Sequence, residues 1–235
     1  MRKDNTLPPG QREIASLPRF GLGKFATRFP KEINKTVIDV DGDVGKPVSL
    51  SALDKDLERI DQISDFHCVT TWTKRNVAWS GFRFSEFYEE LVVNLAQPET
   101  NIEFVVITAQ DGYRVGMRLE DLLAPNVMLA DTLDGQPMPI AHGAPLRLVA
   151  PAHYGYKNIK HIRKIEFWCK ERAYRHAGFK FMDHPRARVE LEERGSILPG
   201  WVFRWLYRPL VQPTKQKFAR ALAAHESEKS RMDDH

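Results

Sequence analysis

The chain has 235 residues, of which 42% are hydrophobic and 28% charged. This composition is typical of a globular protein and excludes a disordered or a membrane-spanning one, since no stretch approaches about 18 consecutive apolar residues. The net charge of +4 is unevenly distributed, because residues 152–190 hold ten Lys and Arg against four Asp and Glu. Such a basic segment predicts an anionic partner: a phosphate, a nucleic acid or an acidic protein surface.

The N-terminal segment and the cysteines predict the cellular compartment. Residues 1–20 contain charge and proline but no apolar stretch and no twin-arginine pair, so no export signal is expected. The two cysteines, Cys68 and Cys169, do not make a disulfide framework. We therefore expect reduced thiols and a cytoplasmic location.

Three segments are predicted along the chain. Residues 1–30 are rich in proline and glycine and are expected to form an arm. Residues 31–196 combine short strands and interspersed helices without a βαβ rhythm, which predicts a mixed α+β domain. Residues 197–235 begin with crowded aromatic and basic side chains and continue into a charged helix over about 215–229. We interpret this last segment as a helical appendage.

The predicted elements of the central domain begin with a hairpin, in which Asp41-Gly42 joins two strand-forming runs. A helix is expected over 51–63, a short strand over 67–71, irregular structure over 72–81 and an amphipathic helix over 85–95. The later predicted elements are strands at 102–108, 127–133, 146–149 and 164–168 and a short helix at 119–123.

Some familiar motifs fail on spacing. Residues 21–24 resemble part of a phosphate loop but lack its length, its Ser or Thr and a preceding strand. No Cys or His pair has the spacing of a structural zinc site. His67 adjoins Cys68, but adjacent strand residues point to opposite faces, which disfavours a cysteine–histidine nucleophile.

Two segments carry the chemistry. The first, 66–81, places Cys68 at a strand end beside aromatic side chains, where a thiol is either a soft-metal ligand or an inert core residue. The second, 142–161, combines a glycine-bearing turn, a strand with Arg147 and a basic loop. This arrangement suits a phosphate or pyrophosphate group, or else forms a solvated basic face. The residues alone leave both pairs of alternatives open.

Taken in order, these motifs resemble the molybdopterin-dependent sulfite oxidase superfamily in a short bacterial form, similar to the molybdenum subunit of protein-methionine-sulfoxide reductases. The ordered set is Cys-Val-x-x-Trp, Trp-x-Gly, an apolar strand ending in Thr, Gly-x-Pro-x-Arg and Tyr-Gly-aromatic-Lys-x-Ile-Lys, over about residues 30–170. The resemblance implies an α+β molybdopterin-binding fold and a Mo-molybdopterin cofactor, for which we favour the simple monophosphate form.

The resemblance also implies roles for individual residues. Cys68 would be the catalytic residue and the molybdenum ligand. His142 stands where the reductase carries an asparagine, and Arg19 in the arm is a loose match. The residues implied to bind the cofactor are Arg19, Thr108, His142, Arg147, Asn158, Ile159 and Lys160.

The residues after Cys68 bear on the reaction. Sulfite oxidases place an arginine shortly after the ligand cysteine, whereas the first cations here are Lys74 and Arg75. We therefore expect two-electron oxygen-atom transfer by a reductase of S-oxide or N-oxide substrates, small or protein-bound. The alternative is sulfite-oxidase-like oxidation of a small anion. A further alternative is a protein that binds molybdopterin or a nucleic acid without catalysis.

The expected partners follow from what the sequence lacks and from where its charge lies. No haem, flavin or iron–sulfur motif is present, so a separate haem or flavin protein is expected to exchange electrons. A basic surface around 157–175 could dock an acidic partner. Nucleic acid is not expected, because aromatic residues at alternate strand positions are usually core. The aromatic cluster of 201–207 is expected to pack on the domain rather than to contact a membrane.

Overall fold

The computed structural model describes residues 6–51, 53, 57–172, 174 and 177–233. Within them the chain forms eleven strands in two sheets, with helices at the periphery and at the C-terminus. The strands are β1 Arg12–Glu13, β2 Val37–Gly42, β3 Val48–Ser51, β4 Ile60–His67, β5 Trp72–Arg83, β6 Phe104–Ala109, β7 Arg114–Arg118, β8 Met128–Leu133, β9 Gln136–Pro137, β10 Arg147–Val149 and β11 Ile162–Trp168.

The helices are fewer and mostly short. The helices are α1 Phe84–Glu86, which continues as a π-helix over Phe87–Ala96, α2 Leu119–Leu122, α3 Gly200–Tyr207 and α4 Val211–Asp233. Short 3-10 turns occur at Gly23–Phe25, Lys180–Met182 and Arg208–Leu210. Among the described residues no helix is long and apolar enough to cross a membrane.

The two sheets are mixed. One has the order β3-β2-β11-β6-β7, with β11 parallel to β2 and the other pairs antiparallel. The other has the order β1-β5-β8-β10, with β4 paired to β5, β9 paired to β8, and β1 parallel to β5. Two mixed sheets with helices that do not alternate with strands confirm the predicted α+β class.

One large core cluster joins the sheets and the π-helix. Ile38 and Ile165 contribute from one sheet, Leu129 and Leu148 from the other, and Phe87 from the π-helix, all fully buried. This cluster leaves the turn after β4 and the loops on either side of β10 at the margin of the core. The turn and these loops contain most of the site residues that the sequence predicts.

Most of the predicted elements are confirmed. The hairpin forms as β2 and β3, and Gly42 adopts φ 110°, which an L side chain rarely does. The helix predicted at 85–95 is present, mostly with π geometry. The predicted strand at 102–108 is β6, which is buried on both faces along most of its length.

Three predictions are wrong. Residues 72–81 are not irregular but belong to the twelve-residue β5, whose Trp72, Val77 and Trp79 are buried. The predicted helix at 51–63 lies partly outside the described residues, and its last part is the beginning of β4. In both cases pairing of β4 with β5 overrides the local sequence preference. The third is the strand expected at 67–71, since β4 ends at His67 and the chain turns over the residues that follow.

The C-terminal segment partly packs on the domain. The structure adds α3, which the sequence did not predict, and extends the predicted helix to α4. Phe203, Tyr207 and Phe218 are buried, whereas Trp201 and Trp205 are exposed. The ring of Phe218 stacks against Phe20 of the arm at 6.4 Å between centroids, so the two ends of the chain meet.

Candidate active site

A cavity of about 280 Å³ lies where the arm, the turn after β4, the loops around β10 and the C-terminal helices converge. Seven of the eight residues proposed from the sequence line it: Arg19, Cys68, His142, Arg147, Asn158, Ile159 and Lys160. Thr108 does not, because its hydroxyl accepts a hydrogen bond from Arg114 Nε at 3.0 Å, away from the cavity wall. Asp111 and Tyr113, which follow β6, line the cavity instead.

Cys68 begins the tight turn that connects β4 to β5. Its backbone N–H donates to the Trp72 carbonyl at 2.8 Å, and its Sγ shares a hydrogen bond with the Thr70 hydroxyl at 3.1 Å. Burial raises the pKa of the Cys68 thiol to about 11, although the Thr70 hydrogen bond acts in the opposite direction. The sulfur is therefore a protonated thiol unless a cation displaces the proton, as a coordinated metal does.

Three distant segments hold this turn in place. The Gln11 side chain of the arm donates to the Cys68 carbonyl at 3.0 Å, and the Gly155 N–H donates to the His67 carbonyl at 2.7 Å. The fully buried Arg194 donates to the carbonyls of Val69 and Pro9. Sequence reasoning missed Gln11 and Arg194, since neither belongs to a motif and only the fold brings them to Cys68.

Two cations, Arg147 and Lys160, face the cavity and form no salt bridge with a described residue, although the charge of Asp111, which also lines the cavity, acts to raise the pKa of Lys160. The buried guanidinium of Arg147 donates to backbone carbonyls, the shortest bond being 2.7 Å to His142 O, and lies 4.8 Å from the Trp79 ring centroid. Lys160 Nζ donates to Ala141 O at 2.9 Å. Desolvation lowers the pKa of Arg147 to about 9 and that of Lys160 to about 7. Buried cations are costly unless an anion compensates them, so this wall is suited to an anionic ligand.

The loop after β10 is less basic on its surface than the sequence suggests. Lys157 is buried, donates to Gly116 O at 2.9 Å, and pairs with Asp183 at 3.0 Å, outside the cavity. The Asn158 amide is used within the loop, where its oxygen accepts from the Ala150 N–H at 2.7 Å. Asn158 therefore shapes the loop through its side chain, and the expected basic surface at 157–175 has lost some of its charge to the interior.

Both histidines of the cavity are neutral. Desolvation lowers the pKa of His142 and of His161 to about 3, and the charges of Lys160 and Arg147 act in the same direction. His161 Nδ1 lies 2.6 Å from the Ala144 carbonyl, so Nδ1 carries the proton and Nε2 remains an acceptor. The site residues thus supply neutral hydrogen-bonding groups beside two cations.

Arg19 closes the arm over the cavity. Its guanidinium donates to Ala26 O at 2.6 Å and lies 4.1 Å from the Phe29 ring centroid. Burial lowers its pKa to about 10. Because its hydrogen bonds go to the backbone of the arm, Arg19 fixes the conformation of the arm where it covers the cavity. Its guanidinium also adds positive charge to the cavity wall.

Comparison with known proteins identifies the family of the chain. The family model for the oxidoreductase molybdopterin binding domain matches residues 26–175. The uncharacterized oxidoreductase YuiH of Bacillus subtilis is 32% identical over 174 residues, which cover 74% of this chain and 82% of YuiH.

Other relatives are longer. The protein-methionine-sulfoxide reductase catalytic subunit MsrP of Campylobacter jejuni is 33% identical, over 55% of this chain and 48% of MsrP. MsrP of Xanthomonas campestris is 31% identical, over 67% of this chain and 56% of MsrP. The chain thus spans about half the length of these MsrP relatives. The sulfane dehydrogenase SoxCD of Paracoccus pantotrophus matches with a TM-score of 0.49 and 19% identity, over 57% of this chain and 38% of that one.

The chain belongs to the family of oxidoreductase molybdopterin-binding domains, and it is an oxidoreductase of that class. The site fits the family's cofactor, which combines a soft metal with an anionic phosphate. Cys68 is the soft ligand in the cavity, and Arg147 and Lys160 are buried cations that form no salt bridge with a described residue.

Proposed function

We propose that this enzyme catalyses two-electron oxygen-atom transfer and reduces an organic sulfoxide or N-oxide. In such a reaction the oxide takes up two electrons and two protons and yields the thioether or amine and one water. The observation that carries the proposal is the apolar wall of the cavity that holds Cys68. The residues of this wall are Phe20, Leu22, Phe25, Trp72, Leu210 and Phe218.

An apolar wall suits a neutral oxide better than a small inorganic anion. The two cations that follow Cys68 in sequence, Lys74 and Arg75, do not line the cavity. Arg75 lies instead 3.7 Å from Asp65 and 4.0 Å from Glu13. An anion such as sulfite would therefore depend on the cations that we assign to the cofactor.

We assign the chain's residues as follows. The Cys68 thiolate ligates molybdenum, and Arg147 and Lys160 hold the cofactor phosphate. His142 offers a neutral imidazole, and the loop shaped by Asn158 and Ile159 contacts the pterin. When bound, the molybdenum centre supplies the oxygen-atom-transfer chemistry, while the protein orients the reactants and excludes water. We propose the monophosphate form of the cofactor, as the resemblance of the sequence implies.

Electrons are proposed to come from a separate haem or flavin protein. The MsrP relatives are named as catalytic subunits, which supports a division of labour between subunits in this family.

The test uses protein purified from a host that makes the cofactor. Elemental mass spectrometry is expected to find about one molybdenum per chain, and reduced viologen is expected to drive turnover of methyl p-tolyl sulfoxide or of trimethylamine N-oxide. Cys68→Ser should lose the metal and the activity, whereas the matched control Cys169→Ser should keep both. A Cys68→Ser variant with full metal content, or sulfite oxidation faster than oxide reduction, would refute the proposal.

A further inference from the structure

Helix α3 carries aromatic side chains on two opposite faces. Phe203 and Tyr207, four residues apart, are buried, and the Phe203 ring stacks on Phe181 at 6.2 Å between centroids. Trp201 and Trp205 are also four residues apart, but they are 64% and 75% exposed. Residues four apart share one face of a helix, whereas residues two apart lie on opposite faces. The two indoles therefore form an outward face of α3.

This outward face continues along the chain on both sides of the indoles. Further exposed apolar side chains precede α3, lie at its end and follow it. We define the outer apolar surface as the side chains of Ile197, Leu198, Trp201, Trp205, Leu206 and Leu210, all of which are exposed. A single exposed apolar residue is common on a protein, but a group of them indicates a site of interaction. Leu210 also lines the cavity that contains Cys68, so the outer apolar surface adjoins the cavity.

The charge beside the outer apolar surface is positive. Residues 197–225 hold five Lys and Arg and no Asp or Glu. One of the five, Arg204, pairs with Glu192 at 2.9 Å. The other four form no salt bridge with a described residue: Arg208, Lys215, Lys217 and Arg220. Cations without acidic partners beside exposed indoles complement an anionic surface.

A lipid surface fits this combination better than a protein does. Tryptophan concentrates at the boundary between lipid head groups and acyl chains, because its ring has an apolar body and a polar N–H. Lysine is depleted from protein interfaces, whereas lysine and arginine both attract anionic head groups. The eight residues of α3 extend about 12 Å, which is too short to cross a bilayer but long enough to lie in the plane of its surface.

We propose that α3 and the beginning of α4 bind the surface of an anionic lipid bilayer. The indoles of Trp201 and Trp205 enter the interfacial region, and the cations of residues 208–220 contact the lipid phosphates. Because Leu210 belongs both to the outer apolar surface and to the cavity lining, binding places the cavity beside the lipid.

The test measures binding of the full chain to large unilamellar vesicles. Co-sedimentation compares vesicles of phosphatidylcholine alone with vesicles of equal parts phosphatidylcholine and phosphatidylglycerol. We expect tighter binding to the anionic vesicles and a steep loss of this binding with added salt. Brominated phosphatidylcholine in the anionic vesicles should quench tryptophan fluorescence. The combined variant Trp201→Phe and Trp205→Phe should lose this quenching when bound, which assigns it to the two outward indoles.

Two combined variants separate the apolar contribution from the charge. Trp201→Ser with Trp205→Ser should weaken vesicle binding by about tenfold or more, because binding scales with the apolar area that enters the lipid. Arg208→Gln with Arg220→Gln should weaken it by about thirtyfold, since each cation at an anionic surface contributes about fivefold. Both pairs are exposed, so the melting temperature should not fall.

The matched controls lie in the sheets. Ile63→Ser on β4 removes an apolar side chain that is 71% exposed, and Lys46→Gln removes an exposed cation next to β3. Neither should change vesicle binding. Sulfoxide reduction driven by reduced viologen should be unchanged in every one of these variants, because none of the substituted residues lines the cavity.

Several results would overturn the inference and leave the proposed function standing. These are a wild-type protein that does not bind anionic vesicles at low salt, equal binding to neutral and anionic vesicles, and equal binding by the tryptophan-to-serine variant and the wild type. A wild-type dimer in analytical ultracentrifugation that this variant loses would identify a second copy of the chain as the occupant. If the variant fails to fold, the arginine variant decides: unchanged binding to anionic vesicles would again refute the inference.

Discussion

Lys160→Met should have opposite effects on the stability of the cofactor-free protein and on cofactor binding. Desolvation lowers the pKa of Lys160 from 10.5 to about 7, so the fold disfavours its charged form. A shift of this size corresponds to about 5 kcal/mol, which we reduce to about 3 kcal/mol because the side chain faces a cavity that water can enter. Loss of the Lys160 hydrogen bond to Ala141 O offsets about 1 kcal/mol of this gain in stability. The cofactor-free variant should therefore be more stable by about 2 kcal/mol at pH 7.

The same substitution removes a cation from the site that we assign to the cofactor phosphate. A charge-assisted hydrogen bond contributes about 1.5–3 kcal/mol, so cofactor affinity should fall by about tenfold to a hundredfold. Urea unfolding of the cofactor-free protein measures the first effect, and molybdenum content with pterin fluorescence measures the second. Lys164→Met is the matched control: Lys164 pairs with Asp41 at 2.7 Å outside the cavity, so its loss should lower stability by less than about 1 kcal/mol and leave cofactor content unchanged.

The pH dependence of stability tests the sign of the Lys160 contribution. Because the folded-state pKa of Lys160 is lowered, the unfolded chain binds more protons between about pH 7 and 10.5, and the stability of the wild-type protein rises with pH there. The advantage of Lys160→Met should therefore shrink from about 2 kcal/mol at pH 7 to about 0.5 kcal/mol at pH 9, because the electrostatic contribution halves and the hydrogen-bond contribution does not change. A variant that is less stable when cofactor-free, or that retains the cofactor as the wild type does, would refute this account of the buried lysine.

Three further predictions concern the walls of the site. Phe218→Ala removes a buried ring that packs on the arm and should lower the unfolding free energy by about 3 kcal/mol, with faster hydrogen exchange over residues 17–25. Gly155→Ala places a methyl group 2.5 Å from the Phe66 ring and should lower the unfolding free energy by about 1–3 kcal/mol, as urea titrations would measure. Stability should fall as the pH drops from 6.5 towards 3, because His161 takes up its proton at about 6.5 when unfolded and at about 3 when folded; His161→Gln should flatten this profile.

Each of these has a result that would contradict it. Unchanged exchange over 17–25 in the Phe218 variant would show that the arm is held by other contacts. Equal stability of Gly155→Ala and the control Gly45→Ala, whose methyl group meets nothing closer than 3.4 Å, would show that Phe66 moves freely. An identical acid profile for the wild type and His161→Gln would exclude His161 as the titrating group.

How far the sequence predicts the site depends on whether a residue lies in a local motif. Cys68 and the 142–161 segment follow from ordered motifs, and seven of the eight proposed residues line one cavity. Thr108 is the exception, because a position at the end of a strand does not specify which side chain reaches the cavity. Asp111 lies two residues after β6 in a turn that contains none of the ordered motifs.

The fold shows the same limit. The local sequence sufficed for β6, which is a nearly continuous apolar run, and for the helix that follows β5, whose apolar residues recur at helical spacing. It failed for β5, whose polar positions are accommodated only because β4, β8 and β1 pair with it. Strand pairing is a long-range contact that no local window contains.

The sequence by itself determined the family and indicated Cys68 and the basic 142–161 segment as candidate site residues, because each of these signals is carried by residues close together in the chain. Only the tertiary structure decided which charges face the cavity, since Lys157 and Lys160 are three residues apart but only Lys160 lines it. It also decided that Gln11 and Arg194 meet at the Cys68 turn and that Tyr207 lines the cavity. These residues come from the arm, a late loop and a C-terminal helix, and their proximity depends on packing of chain segments far apart in sequence, which a local pattern does not encode.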